Sequence, residues 1–324
     1  MSDLGRVLVL AGGLSHERDV SLRSGRRVAE ALREVGLDVE QRDADGDLLS
    51  ALRQDPPDVV FPLLHGAQGE DGAIQEVLSL SDLPYVGSAA AACRLAFDKP
   101  AAKSIVRRAG IATPSSAVLP QSTFRELGAG VLLDALAARL GLPVVVKPAR
   151  GGSALGTTVV RRVEDLPAAM VECFAYGEPA LVERWIDGTE VAVAVVDTGD
   201  GPRALPAVEI VPESGTYDFH ARYTAGATEF FVPARLDDTA AKAVAEVAVA
   251  AHRTLGLRDL SRTDVIVDAD GMPWLLDVNV APGMTETSLL PQAVQAAGLD
   301  LGLLARDLLA VAVGRHHRDS DALS

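Results

Sequence analysis

A chain of 324 residues is longer than one hydrophobic core usually serves, so two or three domains are expected. Hydrophobic residues make up 48% but aromatics only 4%, so the core has to be built mainly from Ala, Val and Leu. The net charge of -15 argues against nucleic acid or an anionic membrane as the main partner. There is no apolar span of about 18 residues and no charged start followed by an apolar run, which predicts a cytoplasmic protein without a membrane segment. Cys93 and Cys173, the only cysteines, lack CxxC or metal-ligand spacing, which argues against zinc and against a disulfide framework.

RVLVLAGG (6–13) reads as a buried strand running into glycines. A helical pattern from about Val20 to Val35 ends at Gly36. DVEQRDAD, the short helix LLSALRQ and DVVFPLLHG (58–66) continue a β-α-β-α-β alternation, followed by the helix DGAIQEVLSL and by PYVGS. This predicts an open parallel sheet with helices on its faces, Rossmann-like in layout. Ligands of such sheets sit beyond the carboxyl ends of the strands, here at AGGLSHER and LLHGAQGEDG. His65 ends the third strand, where a ligand contact and a structural hydrogen bond are both open to it. The glycines do not spell GxGxxG, so no dinucleotide site is indicated. Ser15, His16 and Glu17 are consecutive and cannot converge as a catalytic triad.

A second unit starts near Asp98. In DKPAAKSIVRRAG, Asp98 is a candidate N-cap, Pro100 lies in the first turn and Gly110 stops the helix. Lys99 then lies at the positive end of the helix dipole, where a cation is disfavoured. A helical segment (130–140) leads to a strand (143–147), a glycine-rich loop (150–156) and a second strand (157–161). The loop joins two strands and G-K-[ST] is absent, so it is no P-loop. It can still fold over an anion through backbone N–H groups, and Lys147 ends the strand before it. ALVERWIDGTEVAVAVVD reads as two strands around IDG. Glu183, Trp185, Ile186 and Glu190 in it fit an edge strand with a packed Trp, or an adenosine slot. The chain ends in a helical stretch from about Leu290 to Val313 and a polar tail, 317–324, expected to be disordered.

RTDVIVDADGMPWLLDVNVAPGMTETS (262–288) reads as a β-hairpin, with Asp270-Gly271 favouring a tight type I′ turn. Counting outward places Asp264 opposite Asp277 and Arg262 opposite Asn279, all toward one side. Like charges directly opposite destabilise a sheet, and Ile266 and Leu275, counted to the same face, indicate that it is covered. A buried carboxylate pair raises one pKa or needs a cation between the groups. Asp and Asn oxygens are the hard ligands that Mg²⁺ takes alongside phosphate oxygens.

HERDVSLRSG, FPLLHGAQGEDG, PYVGS, DKPAAK, VVVKPARGGSALG, VERWIDGTE, YDFHARY, SRTDV and LLDVNVAPGMTETSLLP, in this order over about 6–313, resemble the D-alanine–D-alanine ligases of the ATP-grasp superfamily. The resemblance implies an α/β (in part α+β) ATP-grasp fold. An N-terminal Rossmann-like domain (1–97) would precede a central (98–181) and a C-terminal (182–316) ATP-grasp subdomain. It implies ATP as co-substrate, Mg²⁺ or Mn²⁺, small amino-acid substrates and a homodimer. Lys99, Lys147 and Arg222 would meet phosphates, and Glu183, Trp185, Ile186 and Glu190 would line the adenosine site. Asp264, Asp277 and Asn279 would hold the metal. Glu17 would take the first amino acid's ammonium and form a triad with Ser153 and Tyr223, with His65 beside that amino acid. Arg262 and the Gly283 backbone would stabilise the tetrahedral intermediate, while Ser288 and Leu289 would bind the second carboxylate. The expected activity is ATP-dependent joining of two D-alanines through an acyl phosphate for peptidoglycan precursors. The alternative is a ligase for other amino acids in a specialised pathway.

Three positions depart from the family pattern. The hairpin glutamate is Asp277, shorter by one methylene. Arg222 replaces the lysine before the triad tyrosine, keeping the charge but not the shape. The phosphate loop is thinned to ARGGSALG. Tyr223 itself matches peptide-forming relatives, whereas depsipeptide-forming ones often have histidine there. A nucleotide-binding protein without turnover would have no use for Arg262 at an oxyanion.

Overall fold

The computed structural model describes residues 4–323 apart from 178, 214, 218–220, 223 and 225, with backbone alone from 319 onward. The N-terminal unit runs β1 (Arg6–Ala11), α1 (Arg18–Glu34), β2 (Asp38–Asp43), α2 (Leu48–Gln54), β3 (Val59–Pro62), α3 (Ala67–Glu70), α4 (Ala73–Leu80) and α5 (Ala90–Phe97). Its strands form a parallel sheet in the order β2-β1-β3. The continuous apolar run of β1 reflects burial on both faces. Val7 and Val9 enter one core with Val28 and Leu32 of α1, and Leu8 and Leu10 enter another with Leu48, Leu52 and Leu78.

α6 (Lys99–Arg108) is capped by Asp98, whose carboxylate accepts from the Ala101 N–H at 3.0 Å. The central unit follows: β4 (Ser116–Leu119), α7 (Gln121–Leu127), α8 (Ala129–Leu140), β5 (Val144–Pro148), β6 (Thr158–Val160), α9 (Leu166–Phe174) and β7 (Ala180–Arg184). Its antiparallel sheet has the order β4-β7-β5-β6 and a core of its own, with Leu136, Val146, Leu166 and Val182. α6 packs elsewhere: Ala102 and Val106 share a cluster with Cys93, Leu255 and Val278.

The third unit comprises β8 (Thr189–Val196), β9 (Arg203–Ala204), β10 (Val208–Pro212), β11 (Thr228–Phe231), α10 (Asp238–Thr254), β12 (Leu260–Val267), β13 (Pro273–Asn279), α11 (Leu289–Ala296) and α12 (Leu301–Leu323). Its antiparallel sheet has the order β11-β10-β8-β12-β13, with β9 on β8. In β8, Val191, Val193 and Val195 pack under α10, while Ala192, Ala194 and Val196 join the core that also holds Val7, Val28 and Phe61. The N-terminal and C-terminal sheets therefore share one core. The two strands around IDG divide between sheets, β7 in the central one and β8 in the C-terminal one, so 185–188 is a crossover.

Two expectations need correction. The single terminal helical stretch is two helices separated at Gly298, whose φ of +68° favours glycine. The polar tail continues α12 as far as Leu323. At its root, Arg315 is fixed by two hydrogen bonds to buried Asp259, at 2.7 and 2.9 Å. Among the described residues, no helix is long and apolar enough to cross a membrane.

Candidate active site

The hairpin β12–β13 has the counted pairs: Arg262 faces Asn279 and Asp264 faces Asp277. The route to that register differs from the count. Val267 pairs with Pro273, leaving an odd loop, 268–272. Gly271 has a φ of +77° but Asp270 has no positive φ, so the turn is not type I′. Asp268 organises it instead, accepting from the N–H groups of Asp270 (3.0 Å) and Met272 (2.9 Å) and from Trp274 Nε1 (2.7 Å). An odd loop alone would turn Asp277 to the face opposite Asp264. A β-bulge between the Asp264 and Val265 levels absorbs Leu276 and restores the sidedness. The apolar companion of Ile266 in the cleft is consequently Leu276; Leu275 pairs with Val265 and is buried in a different core.

The protein's own cations neutralise the carboxylate pair in part. Arg262 Nε and Nη2 donate to Asp264 at 2.7 and 2.9 Å. Burial pushes the Asp264 pKa up, but the guanidinium outweighs it and holds the carboxyl below its ordinary range. Lys99 Nζ lies 3.5 Å from Asp277 Oδ2. A metal is therefore not the only neutralising partner, as the sequence alone had indicated. The donor set Asp264, Asp277 and Asn279 is all oxygen, which fits Mg²⁺. Among the described residues no cluster of three or more His, Cys, Asp or Glu side chains could cage a metal. The remaining ligands would have to be phosphate oxygens and water.

This hairpin floors a cleft between the central and C-terminal sheets. Lys147 of β5 reaches into it and pairs with Glu183 of β7. The other Glu183 oxygen lies 2.8 Å from Lys103 Nζ, which also donates to Thr113 Oγ1 at 2.8 Å. Burial would raise the Glu183 pKa, but the two ammonium groups hold it well below its ordinary value. The carboxylate thus fixes Lys147 in place while lining the same cleft as Trp185, Ile186 and Glu190. Lys103 was missed in the sequence, although it repeats Lys99 at i+4 on a helix face that also buries Ala102 and Val106. Trp185, Ile186 and Glu190 line one end of the cleft, with Arg161 stacked over Trp185 at 5.8 Å. Burial pushes the Glu190 carboxyl up to about 7.

The glycine-rich loop folds over the cleft and onto α1. Ser153 and Ala154 both have positive φ (52° and 56°), a reversal that ordinary side chains avoid. Ser153 Oγ donates to Glu17, which precedes α1, and Lys99 Nζ donates to the Gly151 carbonyl at 2.6 Å. A Cβ at Gly152 would stand 2.9 Å from Glu17 Oε2, so a side chain there would displace the carboxylate or the loop. Tyr223 lies outside the described residues. Arg222 stacks over Tyr217 at 4.2 Å, and its buried Nε has no hydrogen-bond acceptor among the described residues. An orphaned guanidinium N–H inside a cleft fits an anionic ligand.

A second cavity opens behind the first, and Glu70, Ser153, Tyr217, Arg222, Arg262 and Asn279 line both. Glu70 was not foreseen; burial, and then the neighbouring Glu17 charge, push its carboxyl up to about 8. His65 lines the second cavity but is engaged on both nitrogens. Nδ1 is 3.0 Å from the Ala281 carbonyl, which can only accept, so Nδ1 carries the proton. Nε2 therefore accepts from Ser24 Oγ at 3.0 Å, while Ser24 Oγ accepts from the Met284 N–H at 3.0 Å. Burial lowers the His65 pKa, which keeps the ring neutral. The ring ties β3 and α1 to the segment carrying Gly283, Ser288 and Leu289. A Cβ at Gly283 would stand 2.7 Å from Ser288 Oγ.

Two antiparallel sheets that close on a cation-lined cleft, under a glycine-rich hairpin loop, define the ATP-grasp class. The family model described as D-ala D-ala ligase C-terminus matches residues 105–310, and the one described as D-ala D-ala ligase N-terminus matches 38–88. The D-alanine–D-alanine ligase of Anaeromyxobacter sp. (strain K) is 43% identical over 304 residues, 94% of this chain and 96% of that protein. That of Bordetella petrii is 40% identical over 314 residues, 97% of this chain and 94% of that one. Among solved structures, the Bacillus anthracis D-alanine–D-alanine ligase complexed with ATP superimposes with a TM-score of 0.81 at 26% identity, over 97% of this chain and 99% of that one. The VanG D-Ala:D-Ser ligase of Enterococcus faecalis gives 0.82 at 28%, over 95% and 99%. The chain belongs to the D-alanine–D-alanine ligase family.

Proposed function

We propose that this protein is an ATP-dependent D-alanine–D-alanine ligase, forming D-Ala–D-Ala, ADP and phosphate for peptidoglycan precursor synthesis. The observation that carries the reading is the junction of the two cavities at Arg262 and Ser153. A phosphate donor in one cavity and an amino-acid carboxylate in the other would meet there. Trp185 and Ile186 hold the adenine end, and ionised Glu190 accepts from ribose hydroxyls. Lys99, Lys147 and Arg222 face the phosphates. Asp264, Asp277 and Asn279 would hold Mg²⁺, which when bound spreads the charge of the phosphoryl group.

Glu17 orients the ammonium of the first D-alanine, whose carboxylate oxygen takes the γ-phosphoryl group as ADP leaves. The amine of the second D-alanine, as free base, attacks the acyl carbon, and Arg262 with the Gly283 backbone receives the oxyanion. Phosphate leaves with its bridging oxygen and the new amide loses one proton. Tyr223, by resemblance, and Ser153 complete the polar set around that amine. The 150–156 loop excludes water, which would hydrolyse the acyl phosphate. The matching setting is a cytoplasmic homodimer acting on small molecules alone. D-Alanine labelled with ¹⁸O in its carboxylate tests the acyl phosphate directly. One labelled oxygen should appear in each phosphate released; phosphate free of label would contradict the route.

A further inference from the structure

The sequence reading left Arg23 without a role, and the family resemblance gave it none. Glu17, Val20 and Arg23, spaced three apart at the start of α1, line the second cavity in turn. The other guanidinium groups of that cavity already have anions assigned to them, Arg262 the Asp264 carboxylate and the oxyanion, Arg222 the phosphates. Arg262 grips Asp264, and Arg222 stacks on Tyr217. Arg23 makes no hydrogen bond or ion pair among the described residues. Glu286, in the loop opposite, does not line the cavity and so does not compete for it.

Facing Arg23 is the start of α11. Ser288 stands at its N-cap but does not cap it, because Ser288 Oγ accepts from the Thr285 N–H at 3.0 Å and meets Thr285 Oγ1 at 2.8 Å. The Leu289 and Leu290 N–H groups have no acceptor among the described residues, and Pro291 has no N–H. The loop carrying Ser288 is tied to α1 by Arg27, whose Nη1 donates to the Thr285 carbonyl at 2.6 Å. Arg23 lies one turn before that tie.

Spacing supplies the ligand. Six residues of helix rise about 9 Å, so the backbones of Glu17 and Arg23, which both line the cavity, stand about that far apart along the axis. An extended dipeptide spans about 7 Å, and the two side chains close the remainder. Its ammonium would meet Glu17 and its free carboxylate Arg23. We propose that Arg23 binds the carboxylate of the second, acceptor amino acid and of the dipeptide product, selecting acceptors that carry a free carboxylate. The assignment rests on the ligase reading above.

Dipeptide formation by the full-length protein with Mg·ATP tests it, using D-alanine as donor and either D-alanine or D-alaninamide as acceptor. Arg23→Gln is expected to raise the acceptor KM for D-alanine about tenfold, as loss of a charge-assisted contact does. The donor KM should stay within twofold and kcat should change less than the acceptor KM. Arg23→Lys should recover part of the loss, and the KM for D-alaninamide should be the same in wild type and Arg23→Gln. An unmoved D-alanine acceptor KM, or an equal rise for acid and amide, would overturn the assignment while leaving the ligase reading intact. Wild-type protein that makes no dipeptide from D-alanine would overturn both.

Discussion

Glu190 and Lys103 show how burial sets the chemistry of single residues. Glu190 was placed at the adenosine site from its position in VERWIDGTE, and the structure adds that burial lifts its carboxyl to about 7. A ribose hydroxyl donates more strongly to the carboxylate than to the neutral carbonyl oxygen that the protonated form retains. The ionised fraction rises through pH 7, so ATP affinity of the wild type should increase about tenfold from pH 6 to pH 8. Glu190→Gln should remove that component, leaving the titration of ATP itself; identical slopes in both proteins would contradict the role. Lys103 was illegible for the opposite reason. Nothing in DKPAAKSIVRR distinguishes a fully buried lysine from a surface one, because its partner Glu183 lies 80 positions away. Lys103→Met leaves buried Glu183 with one ammonium, and should cost about 3 kcal/mol in chemical denaturation. A loss below about 1 kcal/mol would mean that Lys147 suffices. The carboxylate pair Asp264 and Asp277 was legible only because the odd loop and the bulge at Leu276 cancel and leave both on one face.

Among the elements, the hairpin teaches the most. Its register was counted correctly from two compensating errors: an even turn where the loop is odd, and a regular strand where Leu276 bulges. Turn length and bulges depend on hydrogen bonds such as those of Asp268, which composition does not reveal. α5 (AAACRLAF) escaped because its N-cap, Ala89, makes no side-chain cap bond. α10 had a readable start in Asp237, which accepts from the Ala240 N–H at 2.8 Å, but its alanine-rich run blurs the apolar stripe. The glycine-rich loop was read as able to fold over an anion, and in the structure Ser153 at its tip closes against Glu17. Gly152→Ala should push it off Glu17 and admit water to the acyl phosphate. Phosphate release should then exceed dipeptide formation, whereas a ratio that stays at one with unchanged kcat would show that closure does not protect the intermediate.

At the scale of the molecule, low aromatic content has a structural meaning. Ala192 and Ala194 let β8 approach the N-terminal unit closely, and the two units share the core with Val7, Val28 and Phe61. Asp259 reinforces the junction: it accepts from the Gly87 N–H at 2.6 Å as well as from Arg315 of α12. The sequence indicated separate sheets but not this docking, which depends on contacts between residues far apart in the chain. The docking fixes the amino-acid cavity, because α1 supplies Glu17 and the C-terminal unit supplies Arg262, Gly283 and Ser288. Purified protein with Mg·ATP and D-alanine, followed by phosphate release and mass spectrometry, tests this account most directly. It predicts D-Ala–D-Ala and phosphate in a one-to-one ratio. ATP binding without dipeptide formation from D-alanine, but with dipeptides from other amino-acid pairs, would contradict it.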